Sequence, residues 1–187
     1  KKKRICSIGR FFVLGHGKKQ EIMVEAFKIL HDRGHSDWEL HLIGSVDAQD
    51  KASMAFIDKL KHDSKGYPIH YHINASRNEM QEIVGSSMIY WHATGFGENE
   101  DADPIKFEHF GISTIEAMSA GCIPILYKGG GLPEIVKTLG LSNQHLYTTI
   151  DQLVDKTIVF ITDPNTYDSR LVCKQIDTHF SMNAFEK

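Results

Sequence analysis

Residues 39–73 read ELHLIGSVDAQDKASMAFIDKLKHDSKGYPIHYHI. Glu39 to Gly44 and Ile69 to Ile73 are short runs of strand length, and the first closes on a glycine. Between them, Ala52 to Leu60 offers Met54, Ile57 and Leu60 at helical spacing. Strand, helix and strand in one such stretch is the pattern of a βαβ unit. The alternation continues outward. Ile5 to Ile8 reads as a buried strand, and Lys18 to Arg33 as a helix with Ile22, Ala26, Ile29 and Leu30 on one face, stopped by Gly34. Asn78 to Val84 reads as a short helix and Met88 to His92 as a strand. Thr114 to Met118 opens a helix that Gly121 ends, and Ile123 to Tyr127 is a strand with Pro124 near its start. Leu132 to Leu139, Asp151 to Ile161 and Asn165 to Thr178 complete the set as helices. Short strands alternating with helices predict an α/β fold, a Rossmann-like parallel sheet flanked by helices.

The chain has 187 residues, 41% hydrophobic and 24% charged, enough for one domain over residues 1–187 with a core that needs neither disulfide nor metal. A net charge of −3 is not that of a general nucleic-acid binder. No run approaches the ~18 apolar residues of a membrane helix, and nothing in the sequence signals membrane contact. Cys6, Cys122 and Cys173 are odd in number and form no CxxC pair, which argues against a disulfide framework or a cysteine zinc site. Lys1 to Arg4 is basic, but the apolar run behind it is too short for a signal peptide. The chain starts almost directly on a strand, as a domain excised from a longer protein would, and a reducing, cytoplasmic setting is expected.

In a parallel sheet, ligands bind beyond the carboxyl ends of the strands, near a switch in strand order. The loops at those ends are Gly9-Arg10, Gly44-Ser45, Asn74 to Arg77, Thr94 to Glu98 and Lys128 to Gly131. In Phe107 to Met118, Glu108 and Glu116 stand eight residues apart around Gly111, which permits close backbone approach, at a helix start whose amides suit an anion. Ser113 and Glu116 equally fit a capping box that needs no ligand. Arg10 and Lys18 could face one crevice and clamp a diphosphate, or could be two exposed surface cations. Gly129-Gly130-Gly131-Leu132-Pro133 could cradle a ligand or simply turn; it is neither a G-x-G-x-x-G fingerprint nor a Walker A motif. His70 and His72 share one face of a strand, but no carboxylate at ligand spacing completes a metal site, so no metal is assigned. His92 ends a strand at the ligand edge. The acidic stretch from Glu98 to Asp103 reads as a solvated loop.

Together these segments resemble one large family: the carboxyl-terminal, donor-binding domain of retaining GT-B glycosyltransferases, the family 4 or group 1 glycosyl transferases. The resemblance rests on Ser7 to Phe11, Lys18 to Gln20 with Glu25 to Phe27, Leu42 to Gly44, His92 to Gly97, Glu108 and Glu116 followed by Ala117 to Pro124, and Gly130 to Val136. It implies one half of a GT-B fold, with an amino-terminal acceptor domain absent from this sequence. It further implies retaining transfer of a hexosyl group from a UDP-, GDP- or ADP-linked sugar, without cofactor or metal. By that resemblance Arg10 and Lys18 hold the donor diphosphate, Lys18 being eight residues before Ala26 and Lys19 the fallback. Glu108 meets the donor sugar and Glu116 the ribose hydroxyls. The amides of Phe110, Gly111 and Ile112 meet the phosphates. Asn74 to Arg77 lies near the base, and Gly97 belongs to the donor loop. Two features depart from the family pattern: a long gap between Arg10 and Lys18 holding Gly15-His16-Gly17, and an apparent insertion from Glu98 to Ile105. Two other functions fit the same residues, a GT-B sugar-nucleotide epimerase half and a non-catalytic module that binds nucleotide sugar.

Overall fold

The computed structural model describes residues 1–12 and 17–180. Within them run β1 (Lys2–Ile8), α1 (Gln20–Asp32), β2 (Glu39–Gly44), α2 (Lys51–Asp63), β3 (Ile69–Ile73), α3 (Arg77–Ser86) and β4 (Ser87–His92). After them come α4 (Ile112–Ser119), β5 (Ile123–Tyr127), α5 (Leu132–Thr138), β6 (Leu146–Tyr147), α6 (Ile150–Thr162) and α7 (Ser169–His179). Six strands pair in the order β3-β2-β1-β4-β5-β6, every pairing parallel. The chain builds outward from β1 to β3, then returns to place β4 on the other side of β1. The order therefore reverses between β1 and β4, and a crevice opens there at the carboxyl edge.

The sheet is covered on both faces, which is why its central strands read as nearly continuous apolar runs. Tyr90 and Trp91, adjacent on β4, are both fully buried and point opposite ways. Trp91 Nε1 donates to Thr157 Oγ1 of α6 at 3.0 Å, while the Tyr90 hydroxyl meets Ser113 Oγ of α4 at 2.9 Å. Phe27, Leu30, Leu42 and Ile57 belong to the same continuous core. No helix among the described residues is long and apolar enough to cross a membrane. All three cysteines are free thiols.

Several elements differ from the sequence reading. β1 begins at Lys2 rather than Ile5, because its basic residues still pair in register with Ser87 and Glu39. α1 begins at Gln20, since Lys19 takes a left-handed conformation (φ 55°) and ends the preceding loop. The final helix starts at Ser169, not Asn165: Pro164–Thr166 forms a 3-10 turn, and the Asp168 carboxylate accepts from the amides of Arg170 and Leu171. β6 was not foreseen; two residues give no periodicity to detect. Gly15 and His16 of the long gap lie outside the described residues.

Candidate functional site

A cleft of about 660 Å³ lies at the carboxyl edge of the sheet, beside the switch point. The end of β1 and the turn after it supply Ile8, Gly9 and Arg10; the end of β2 and the turn after it supply Ile43, Gly44 and Ser45; the loop after β3 supplies Asn74 and Ala75. Lys18 closes one side, Met80 of α3 contributes an apolar wall, and Glu108, Phe110, Ile112, Ser113 and Glu116 arrive from the segment entering α4. The volume lies within the ~300–1,000 Å³ usual for small-molecule sites. Arg10 and Glu116, distant in sequence, thus share one crevice.

The centre of the cleft is an ion pair. Lys18 Nζ lies 2.7 Å from Glu108 Oε2, with side chains 19% and 13% exposed. His92 Nε2, at the end of β4, stands 3.3 Å from the same oxygen, and Glu108 Oε1 accepts from the Gly111 amide at 3.2 Å. Burial alone would raise the Glu108 carboxyl, but the bonds from His92 and Lys18 outweigh it and hold the group well below its ordinary value. Glu108 is therefore a carboxylate at neutral pH and an acceptor for hydroxyl groups, not an acid. Gly9 makes the pair possible: a Cβ there would stand 2.4 Å from Lys18 Cγ. Lys19 points elsewhere and bonds Glu98 Oε1 at 2.5 Å. Arg10 is exposed, its guanidinium 5.6 Å from the Phe12 ring centroid.

α4 begins on Gly111, which takes a left-handed conformation (φ 59°), and no side chain caps it. The capping box does not form. Ser113 is the second helical residue rather than the cap, and its hydroxyl is held by Tyr90. An uncapped helix start leaves backbone donors and a positive dipole end directed at the cleft. Of the three amides expected to meet phosphate, that of Gly111 is already taken by Glu108. Phe110 and Ile112 are 80% and 67% exposed at the mouth. Glu116, one turn in, is exposed and also lines the adjoining cleft that holds Arg77.

Other expected residues fall differently. Arg77 belongs to that adjoining cleft, not the main one. Asn74 lines the main cleft, but its amide is committed to Val46, accepting from its N–H at 3.0 Å and donating to its carbonyl at 3.2 Å. Gly97 does not line the cleft; it sits exposed in the turn after β4. The glycine run 129–131 packs against the Glu108 segment. A Cβ on Gly130 would stand 2.2 Å from the Glu108 carbonyl oxygen, and the Gly131 amide donates to that oxygen at 2.8 Å. The acidic loop is tied down rather than simply solvated. Glu98 binds Lys19 and Lys106, which draw its carboxyl down to about 2, and Glu100 accepts from the Gly130 amide at 3.0 Å.

The sequence reading missed Met80 and Ser113 as cleft residues, since nothing in one chain marks an apolar or short helical side chain as lining. It also missed a carboxylate partner for the strand histidines. Glu39, on the neighbouring strand, comes within ligand reach of His41 and His70. Burial pushes the His41 imidazole down to about 4 despite the opposing bond to Glu39, so that ring is neutral near pH 7.

Comparison with known proteins follows the same lines. The family model described as "Glycosyl transferases group 1" matches residues 1–175. No curated protein sequence matches the chain. Among solved structures, the carboxyl-terminal domain of a glycosyl transferase group 1 family protein (LpcC) from Francisella tularensis superposes with a TM-score of 0.70 at 20% identity, over 97% of this chain and 88% of that one. A glycosyltransferase from Rickettsia africae ESF-5 gives 0.71 at 18% identity, over 97% and 44%. The S. aureus protein TarM, solved with fondaparinux, alpha-GlcNAc-glycerol and UDP, gives 0.59 at 15% identity, over 99% and 34%. The chain thus spans less than half the length of the latter two.

Proposed function

The chain belongs to the glycosyl transferases group 1 family, and from that premise we propose that it is the donor-binding half of a retaining hexosyltransferase whose donor is a nucleoside-diphosphate sugar. The observation that carries this reading is the Lys18–Glu108 pair, set in one cleft with Arg10, Glu116 and the uncapped start of α4. Transfer breaks the bond between the anomeric carbon and the diphosphate oxygen and forms one to an acceptor hydroxyl. Negative charge then grows on the departing diphosphate. In this reading Arg10, Lys18 and the helix start supply the positive charge that stabilises it in the transition state. In the empty cleft Glu108 holds Lys18 in place. When donor enters, the lysine turns part of its charge to phosphate while the carboxylate accepts from sugar hydroxyls. Glu116 takes the ribose hydroxyls. This neutralisation by side chains is why the reading includes no metal or cofactor at the donor site.

The acceptor-binding part of the site, in this reading, comes from an amino-terminal domain outside this sequence, and the protein works in the cytoplasm. UDP in the TarM structure makes UDP the first nucleotide to try; GDP and ADP share the diphosphate and ribose that the cleft addresses. Calorimetric titration of the folded chain with UDP, GDP and ADP in the presence of a chelator tests the proposal. Weak binding of at least one is expected, and no binding of any would overturn it.

A further inference from the structure

On the sheet face where α3 packs, away from the donor cleft, the strand residues Glu39, His41, His70 and His72 converge with Glu79 of α3. Register makes this possible. His41 pairs with His70 and Ile43 with His72, so alternate residues of two parallel strands share one face. One donor atom from each of Glu39, His41 and His70 lies within 4.8 Å of the other two. His41 Nε2 and Glu39 Oε2 are 3.1 Å apart, near the ~3.3 Å that separates two ligands each about 2.0–2.1 Å from a tetrahedral ion. The rings of His41 and His70 stack with centroids 4.6 Å apart, and His70 is exposed, so an ion can enter from solvent.

We propose that Glu39, His41 and His70 bind a divalent transition-metal ion of the zinc type, with water in the fourth position and with His72 and Glu79 orienting His41. Imidazole and carboxylate ligands suit zinc and its first-row neighbours. The outer layer is what such a site requires, because a ligating histidine almost always donates its second ring nitrogen to a fixed acceptor. His41 Nδ1 lies 2.8 Å from His72 Nε2, and His72 Nδ1 lies 3.3 Å from Glu79 Oε1. With an ion on His41 Nε2, His41 Nδ1–H donates to His72 and His72 Nδ1–H donates to Glu79, so every ring nitrogen is used and both rings stay neutral. Arg4 shares the same carboxylate oxygen as His41, its Nε and Nη2 lying 3.3 and 3.2 Å from Glu39 Oε2, so the ion binds beside a guanidinium. None of the three ligands lines the donor cleft, so this inference stands or falls apart from the transferase reading.

The experiment is titration of the chelator-treated chain with zinc ion by calorimetry, and with cobalt(II) ion by visible absorption. One equivalent should bind, with a rise in melting temperature. His70→Ala and Glu39→Gln should each weaken binding at least tenfold, and His72→Phe by about 10–100-fold. His62→Ala, at an exposed histidine of α2, should change nothing. His70 is exposed, so its variant keeps the fold, which far-ultraviolet circular dichroism checks. Absence of stoichiometric binding to the folded chain, or binding unchanged in both His70→Ala and Glu39→Gln, would overturn the proposal.

Discussion

Replacing Lys18 by methionine removes two things at once, and the two can be separated. Glu108 would keep His92 and the Gly111 amide but lose its 2.7 Å cation. Breaking a fully buried pair costs about 3–5 kcal/mol; with side chains 19% and 13% exposed and two other donors remaining, about 2–3 kcal/mol is expected here. For a domain of this size that lowers the melting temperature by about 5–10 °C. The Glu108 carboxyl lies below its ordinary value in the folded chain, so the pair's contribution is complete above about pH 4.5 and fades as pH falls through the folded value. The variant's deficit should therefore shrink in acid. The second loss is the cation offered to phosphate. A charged hydrogen bond contributes about 1.5–3 kcal/mol, so nucleoside-diphosphate affinity should fall about 10–150-fold. Adding Glu108→Gln to Lys18→Met removes the orphaned charge, and should restore most of the melting temperature without restoring affinity. Differential scanning calorimetry and isothermal titration read the two effects. If Lys18→Met destabilises the chain yet binds nucleotide as tightly as the parent, Lys18 is only a partner for Glu108 and the phosphate-clamp reasoning fails.

Three further outcomes follow from the same geometry. Glu116→Gln should weaken nucleotide binding about tenfold while leaving the melting temperature within about 2 °C, because Glu116 is exposed and caps nothing; titration beside a thermal melt checks both. Gly9→Ala places a Cβ 2.4 Å from Lys18 Cγ, so it should lower stability by about 1–3 kcal/mol and nucleotide affinity together, as denaturant unfolding and titration would show. Glu98→Gln cuts the loop from Lys19 and Lys106. Its melting-temperature deficit should be full above about pH 4.5 and vanish as pH approaches 2, since the folded carboxyl titrates near 2.

The parallel α/β layout was legible because each central strand is covered on both faces and so shows as an apolar run, as in Glu39–Gly44 and Ser87–His92. The crevice was legible for a related reason: residues just after strand ends, such as Arg10, Ser45 and Asn74, must meet at one edge once the strands are parallel. What depends on register or on long-range approach was not legible. The bond from Lys18 to Glu108 spans ninety positions and needs Gly9 beneath the lysine stem. Glu39 could be matched to the histidines only after β2 and β3 were aligned. Ser113 looked like a cap because spacing alone cannot say which residue leaves the helix; the left-handed Gly111 decides it. Gly97 takes a left-handed conformation in the turn after β4, a placement that a glycine after a strand does not reveal by itself.

The central claim is that a diphosphate and its ribose occupy the cleft between the ends of β1, β2 and β3 and the start of α4. Amide chemical-shift mapping of the isotope-labelled chain during titration with UDP tests it most directly. Shifts concentrated on Gly9, Arg10, Ser45, Ala75, Ile112 and Ser113 are expected. A folded spectrum that does not move, or whose shifts gather on α6 at the opposite face of the sheet, would contradict it.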